Sequence, residues 1–101
     1  MKEGIRMVKV VAKNFVQESK LEEVISLYKE LVELTRQEEG CIKYELYQNE
    51  KDSNIIAMIE EWESREALNR HLNSEHFTRI VPQVKKFMIK ETDLTIYNPL
   101  L

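Results

Sequence analysis

Five consecutive apolar residues, Ile55-Ile56-Ala57-Met58-Ile59, limit the fold more than any other stretch. Their β-branched character and the following "EEW" (Glu60–Trp62) predict a strand. Successive strand side chains leave on opposite faces, and here both faces are apolar. Such a strand must lie within a sheet and be covered on both sides.

The neighbouring elements supply one cover. "IRMVKVVAKNFV" alternates Met7, Lys9, Val11 and Lys13 against Val8, Val10, Ala12 and Asn14, which predicts a first strand. Ser19, with Glu22 three residues on, has the spacing of a capping box. A helical stripe follows through Leu21, Val24, Ile25, Tyr28, Leu31 and Val32, widened by Leu27 and Leu34. Gly40 is placed to end that helix. "CIKYELYQ" predicts a second strand, with Ile42, Tyr44 and Leu46 on one face, and "NEKDSN" a turn. After the third strand, Ser64 is a cap for a helix carrying Ala67, Leu68 and Leu72. Ser74 restarts it through Phe77, Ile80, Val81 and Val84, and Pro82 should break or kink this segment unless near its boundary. "FMIKETDLTIYN" predicts a fourth strand. The order β-α-β-β-α-β is the split pattern of a ferredoxin-like α+β sandwich. Its helices cover one sheet face. A second copy of the chain is the economical cover for the other, which predicts a homodimer paired sheet to sheet, a dimeric α+β barrel.

A length of 101 residues leaves room for one domain, spanning 1–101, with one core. A net charge of −3 offers no electrostatic reason to expect nucleic acid or an anionic membrane as partner. The N-terminal Met1–Gly4 and the lysines after it are too charged for a signal peptide, and no apolar run is long enough to span a bilayer. A cytoplasmic location is expected. Cys41 is the single cysteine, which excludes an intrachain disulfide and a cysteine-based zinc cluster. It reads as a small buried hydrophobe.

The stretches "QEEGC" and "EEWESREALNRHLNSEHF" resemble the antibiotic biosynthesis monooxygenase domain, a family of the dimeric α+β barrel superfamily. The similarity falls on Glu60, Trp62, Ser64, Ala67, Leu68, His71, Leu72, Ser74, His76 and Phe77. Its members include quinol and anthrone oxygenases, a signalling-molecule isomerase and heme-degrading enzymes, so the fold alone does not fix the chemistry. The resemblance implies a monooxygenase that uses neither metal nor flavin, in which an electron-rich quinol-like or polyphenolic substrate itself gives electrons to O2. The protein would supply a dry pocket, a group that takes the substrate's proton and donors for the resulting oxyanion. An isomerase or other non-oxidative enzyme on a small metabolite is the alternative, and would need Arg6, Arg65, Arg70 or Arg79 to point inward as an anchor. A non-catalytic small-molecule-binding domain is a further one.

Four residues are the candidates for the site. His71 exchanges a proton near neutral pH and lies near the core-facing side of its helix. Asn14, at the end of the first strand, has an amide suited to holding a substrate oxygen or starting a turn. Trp62 is expected in the pocket wall. Glu60 shares a strand face with Ile56, Met58 and Trp62, where a carboxylate needs partners or a raised pKa. It would orient His71, or pair with Lys9 or Lys43. His76 lies five residues beyond His71, which on an unbroken helix points the two about 140° apart. No shared metal is expected from that spacing. "AKNFV" also resembles a stretch of the heme-degrading relatives, but their axial histidine would fall near Val81, which cannot ligate iron. Tyr44, Tyr47 and Phe15 read as core or interface residues that could also stack on a flat ligand.

Overall fold

The computed structural model describes residues 6–101; the expected start of the first strand at Ile5, and Met1–Gly4, lie outside the described residues. Four strands and three helices follow in the order β1 (Val8–Phe15), α1 (Leu21–Thr35), β2 (Cys41–Gln48), β3 (Ile55–Trp62), α2 (Arg65–Leu72), α3 (Glu75–Lys85) and β4 (Asp93–Tyr97). The sheet order is β2-β3-β1-β4 and every neighbouring pair is antiparallel. This is the ferredoxin-like α+β sandwich that the element order predicts.

β3 and β1 occupy the centre, as the doubly apolar Ile55–Ile59 run requires. Val8, Val10, Ala12 and Asn14 of β1 and Ile56, Met58, Glu60 and Trp62 of β3 are all buried on one face. Against it pack Val24, Tyr28 and Leu31 of α1, Ala67, Leu68 and His71 of α2, and Ile80 and Val84 of α3. On the opposite face Val11, Phe15, Ile55, Ala57 and Ile59 are only half-buried.

Several local details depart from the periodicity. α1 begins after Lys20 without a side-chain cap, and Ser19 takes φ +74° in the connecting turn instead of capping the helix. The Lys20 N–H donates to the Gln17 carbonyl at 3.1 Å, and closing that turn places Ser19 in the left-handed region. The helix ends at Thr35, so Gly40, with φ +92°, serves a turn beyond the helix. A side chain there would also be obstructed, since a Cβ on Gly40 would lie 2.6 Å from Ala67 Cβ. A bulge between Cys41 and Lys43 removes Ile42 from the inner face and leaves it half exposed, while Tyr44 and Leu46 keep their expected sides.

Ser64 and Ser74 do cap α2 and α3, accepting from the Ala67 and Phe77 N–H groups at 3.1 and 3.3 Å. Pro82 does not break α3. It stands three residues before the last, Lys85, so the ring removes one hydrogen bond near the end of the element. β4 is shorter than "FMIKETDLTIYN" suggests: only Asp93–Tyr97 pair along β1, and Val16 with Met88 forms an isolated bridge. Among the described residues, no helix is long and apolar enough to cross a membrane.

Candidate functional site

Between the inner sheet face and the helices lies a cavity of about 220 Å³. Its lining is mostly apolar, with Val10, Met58, Leu68, Phe77 and Val81 among the contributors. Polar side chains face it from four elements, Asn14 of β1, Tyr28 of α1, Tyr44 of β2 and Glu60 of β3, and Lys85, Glu91 and Thr92 line it as well. Strand register explains the grouping, because Glu60 pairs with Val10 on one side and with Tyr44 on the other. A few converging polar groups in an apolar cavity are the usual make-up of a small-molecule site.

Glu60 is 6% exposed. One oxygen accepts the Trp62 indole N–H at 2.9 Å, its single hydrogen-bond partner among the described residues. Burial pushes its carboxyl up to about 7; the indole opposes the shift and the Glu38 carboxylate adds to it. A carboxyl with a pKa in that range is able to take up and release a proton near neutral pH.

On the same sheet face as Glu60, the Thr92 hydroxyl donates to Asn14 Oδ1 at 2.6 Å, and Asn14 Nδ2 donates to the Tyr28 hydroxyl oxygen at 3.0 Å. Each bond polarises the next, leaving the Tyr28 O–H free to donate to a bound ligand. Burial, followed by the Glu60 charge, raises the Tyr28 pKa, and burial raises that of Tyr44. Both phenols therefore stay protonated donors.

Glu60 and Asn14 thus line the cavity, whereas Trp62 and His71 do not. Trp62 is fully buried and supports Glu60 from behind. The His71 ring packs on Trp62 with centroids 4.7 Å apart, between Tyr44 at 5.2 Å and Phe77 at 5.0 Å. Glu60 does not orient it; His71 Nδ1 lies 2.8 Å from Glu38 Oε2. Nor does Glu60 pair with a lysine, because Lys9 sits on the outer face and bonds Glu61 at 3.3 Å. Burial lowers the pKa of His71 against the opposing pull of Glu38.

His76 Nε2 reaches the same Glu38 oxygen. The two histidines therefore converge, contrary to the angle that a continuous helix would give. The helix stops at Leu72 and restarts after Ser74, and this break re-aims His76.

None of Arg6, Arg65, Arg70 and Arg79 lines the cavity. Arg6 donates to the Pro99 carbonyl, Arg65 to Asn69, and Arg79 pairs with Glu30 and Glu75, all at the surface. The cation among the lining residues is Lys85. Val81, where the heme-degrading relatives would need a histidine, also lines it.

Tyr28, Thr92 and Glu38 are the members of this arrangement that the sequence pattern does not single out. Tyr28 is visible only as one position of a helical stripe. Thr92 meets Asn14 across 78 residues, and Glu38 meets His71 across 33.

The family model for antibiotic biosynthesis monooxygenase matches residues 7–83. A conserved protein from Methanosarcina mazei Go1, of known crystal structure, is 40% identical, with a TM-score of 0.93 and 95% of each chain covered. "Uncharacterized protein sll1783" of Synechocystis is 35% identical over 88% of this chain, which spans 61% of that relative's length. "Putative monooxygenase YcnE" of Bacillus subtilis is 30% identical over 78% of this chain and 83% of its own. The family match covers most of the described chain, from β1 into α3, including Asn14, Glu60, Trp62 and His71. The chain belongs to the antibiotic biosynthesis monooxygenase family.

Proposed function

We propose that this chain is a cofactor-independent monooxygenase that oxidises a quinol-like or polyphenolic small molecule with O2. The observation that carries the reading is Glu60, a carboxylate with a pKa raised to about 7, set in a largely apolar cavity. Glu60 accepts the phenolic proton, and Tyr28, held by Asn14, donates to the oxygen that becomes negative. The electron-rich anion then gives its electrons to O2. One oxygen atom enters the product and the other leaves as water, so the substrate supplies all the electrons. The apolar walls exclude water that would otherwise solvate the anion. His71 acts at one remove, by packing behind Trp62 and Tyr44.

The half-buried outer face of the sheet, with Val11, Ala57 and Ile59 at its centre and exposed Tyr47 and Tyr97 toward its edges, supports a homodimer paired through that face. A cytoplasmic location goes with this reading.

Oxygen uptake by purified protein treated with a chelator, given a panel of hydroquinones, tests the oxidative chemistry. Uptake above the buffer blank that is lost in Glu60→Gln is the expected result. Uptake equal to the blank from folded protein overturns it. Lys85 at the cavity favours one second reading, a non-oxidative isomerase anchoring an anionic metabolite. That reading gives substrate conversion without oxygen consumption.

A further inference from the structure

Outside the cavity, three potential metal ligands from three parts of the fold meet at one point. Glu38 comes from the turn after α1, His71 from the last turn of α2 and His76 from the first turn of α3. One ligand atom of each lies within 4.8 Å of the others. Glu38 Oε2 is the focus, 2.8 Å from His71 Nδ1 and in contact with His76 Nε2. No lysine or arginine pairs with Glu38 among the described residues; its side-chain partners are the two histidines.

We propose that Glu38, His71 and His76 form a binding site for a divalent late first-row metal ion such as zinc. Two imidazole nitrogens and one carboxylate oxygen are a donor set these ions favour. Around a tetrahedral zinc the donor atoms stand about 3.4 Å apart, so withdrawing the Glu38 carboxylate by about 0.5–1 Å opens the space required. Glu38 is able to make that movement because it lies in a turn and is only partly covered, whereas His71 is fixed. Trp62, Tyr44 and Phe77 surround its ring and hold Nδ1 toward Glu38. Glu38 and His76 are 15% and 16% exposed, which gives an ion a route in from solvent and leaves a fourth position for water.

The same atoms could hold a proton network alone, with both histidines donating to Glu38. The two readings differ in what is taken up from solution. An ion here would clamp the end of α1 to the α2–α3 junction, outside the cavity that Glu60 and Asn14 line. Its consequence is a more stable helical layer, so the test does not depend on the oxygenase reading.

The test titrates untagged, chelator-stripped protein with Zn2+ in competition with a chromophoric chelator, alongside thermal unfolding and the visible spectrum of the Co2+ form. The proposal expects about one zinc per chain, a higher unfolding midpoint with zinc, and a Co2+ spectrum of low-symmetry four-coordination. Glu38→Gln and His76→Gln should each weaken zinc uptake by at least about 10-fold. Both positions are partly exposed, so circular dichroism should match that of the parent, which His71→Ala in the core does not assure. No saturable uptake at sub-millimolar zinc overturns the site. So does uptake that either folded variant leaves unchanged.

Discussion

The Trp62 indole N–H donates to Glu60 Oε1 at 2.9 Å and is the one hydrogen bond that the buried carboxylate makes among the described residues. It favours the ionised form and partly offsets the burial that carries Glu60 up to about 7. If ionised Glu60 is the base, kcat/KM rises with pH through about 7 and levels off above it. Trp62→Phe removes the donor and should move that limb to higher pH. A pH–rate profile that is flat through this range, or unmoved by the substitution, removes Glu60 from the proton transfer.

The same shift links Glu60 to stability. Its folded pKa of about 7 lies above the ordinary 4.5, so the folded chain holds an extra proton between those values. The associated stability is fully present below the ordinary value and is lost as pH rises through 7. Glu60→Gln keeps an acceptor for Trp62 without the charge. It should be more stable than the parent by on the order of 2 kcal/mol at about pH 8.5, and nearly equal to it at about pH 4. Urea unfolding at the two pH values reads both outcomes.

The Thr92–Asn14–Tyr28 chain predicts a different effect. Tyr28→Phe keeps the ring but removes the hydroxyl that would face a substrate oxygen. Turnover should fall by roughly 10- to 100-fold, mainly in kcat, because the donor matters most once negative charge develops. Asn14→Ala leaves Tyr28 in place but unpolarised and should produce a smaller loss of the same kind. Steady-state kinetics on a confirmed substrate check both, and an unchanged kcat in Tyr28→Phe excludes the oxyanion role.

Gly40 carries a purely structural prediction. Its φ of +92° disfavours any side chain, and a Cβ would meet Ala67 Cβ at 2.6 Å. Because Ala67 is buried on α2, the helix itself would have to move. Gly40→Ala should cost roughly 2–4 kcal/mol, the strain of a left-handed alanine added to overpacking. Thermal unfolding within about 1 kcal/mol of the parent would show that α2 gives way easily.

Those residues also show which features the chain makes legible. Alternation in β1 and the doubly apolar run in β3 place Asn14 and Glu60 on a covered sheet face, because local spacing decides which way a strand residue points. The serine caps mark both helices of the second helical region for the same reason. What spacing cannot supply is the partner across the fold. Trp62 is expected in the pocket and instead lies behind Glu60, and His71 finds Glu38 rather than Glu60. The first is a contact within β3, and the second depends on where the turn after α1 lies in space. The two histidines are the sharpest case: Ser74 signals the break between helices, but the angle of the restarted helix, which sends His76 back to Glu38, is fixed only by packing.

Ile59 lies at the middle of the outer sheet face, opposite Val11 of β1 and Glu45 of β2. It is half-buried within the single chain, so a charge there is tolerated by the fold itself. In a homodimer paired through this face, a lysine at 59 would be desolvated beside a Glu45 carboxylate already engaged by the Tyr47 hydroxyl, and that desolvation would weaken association strongly. Ile59→Lys should therefore sediment as a monomer at micromolar concentration with an unchanged circular dichroism spectrum, while the parent sediments as a dimer. A parent chain that is itself a stable monomer at that concentration would refute the sheet-to-sheet dimer, and a variant that stays dimeric would move the interface elsewhere.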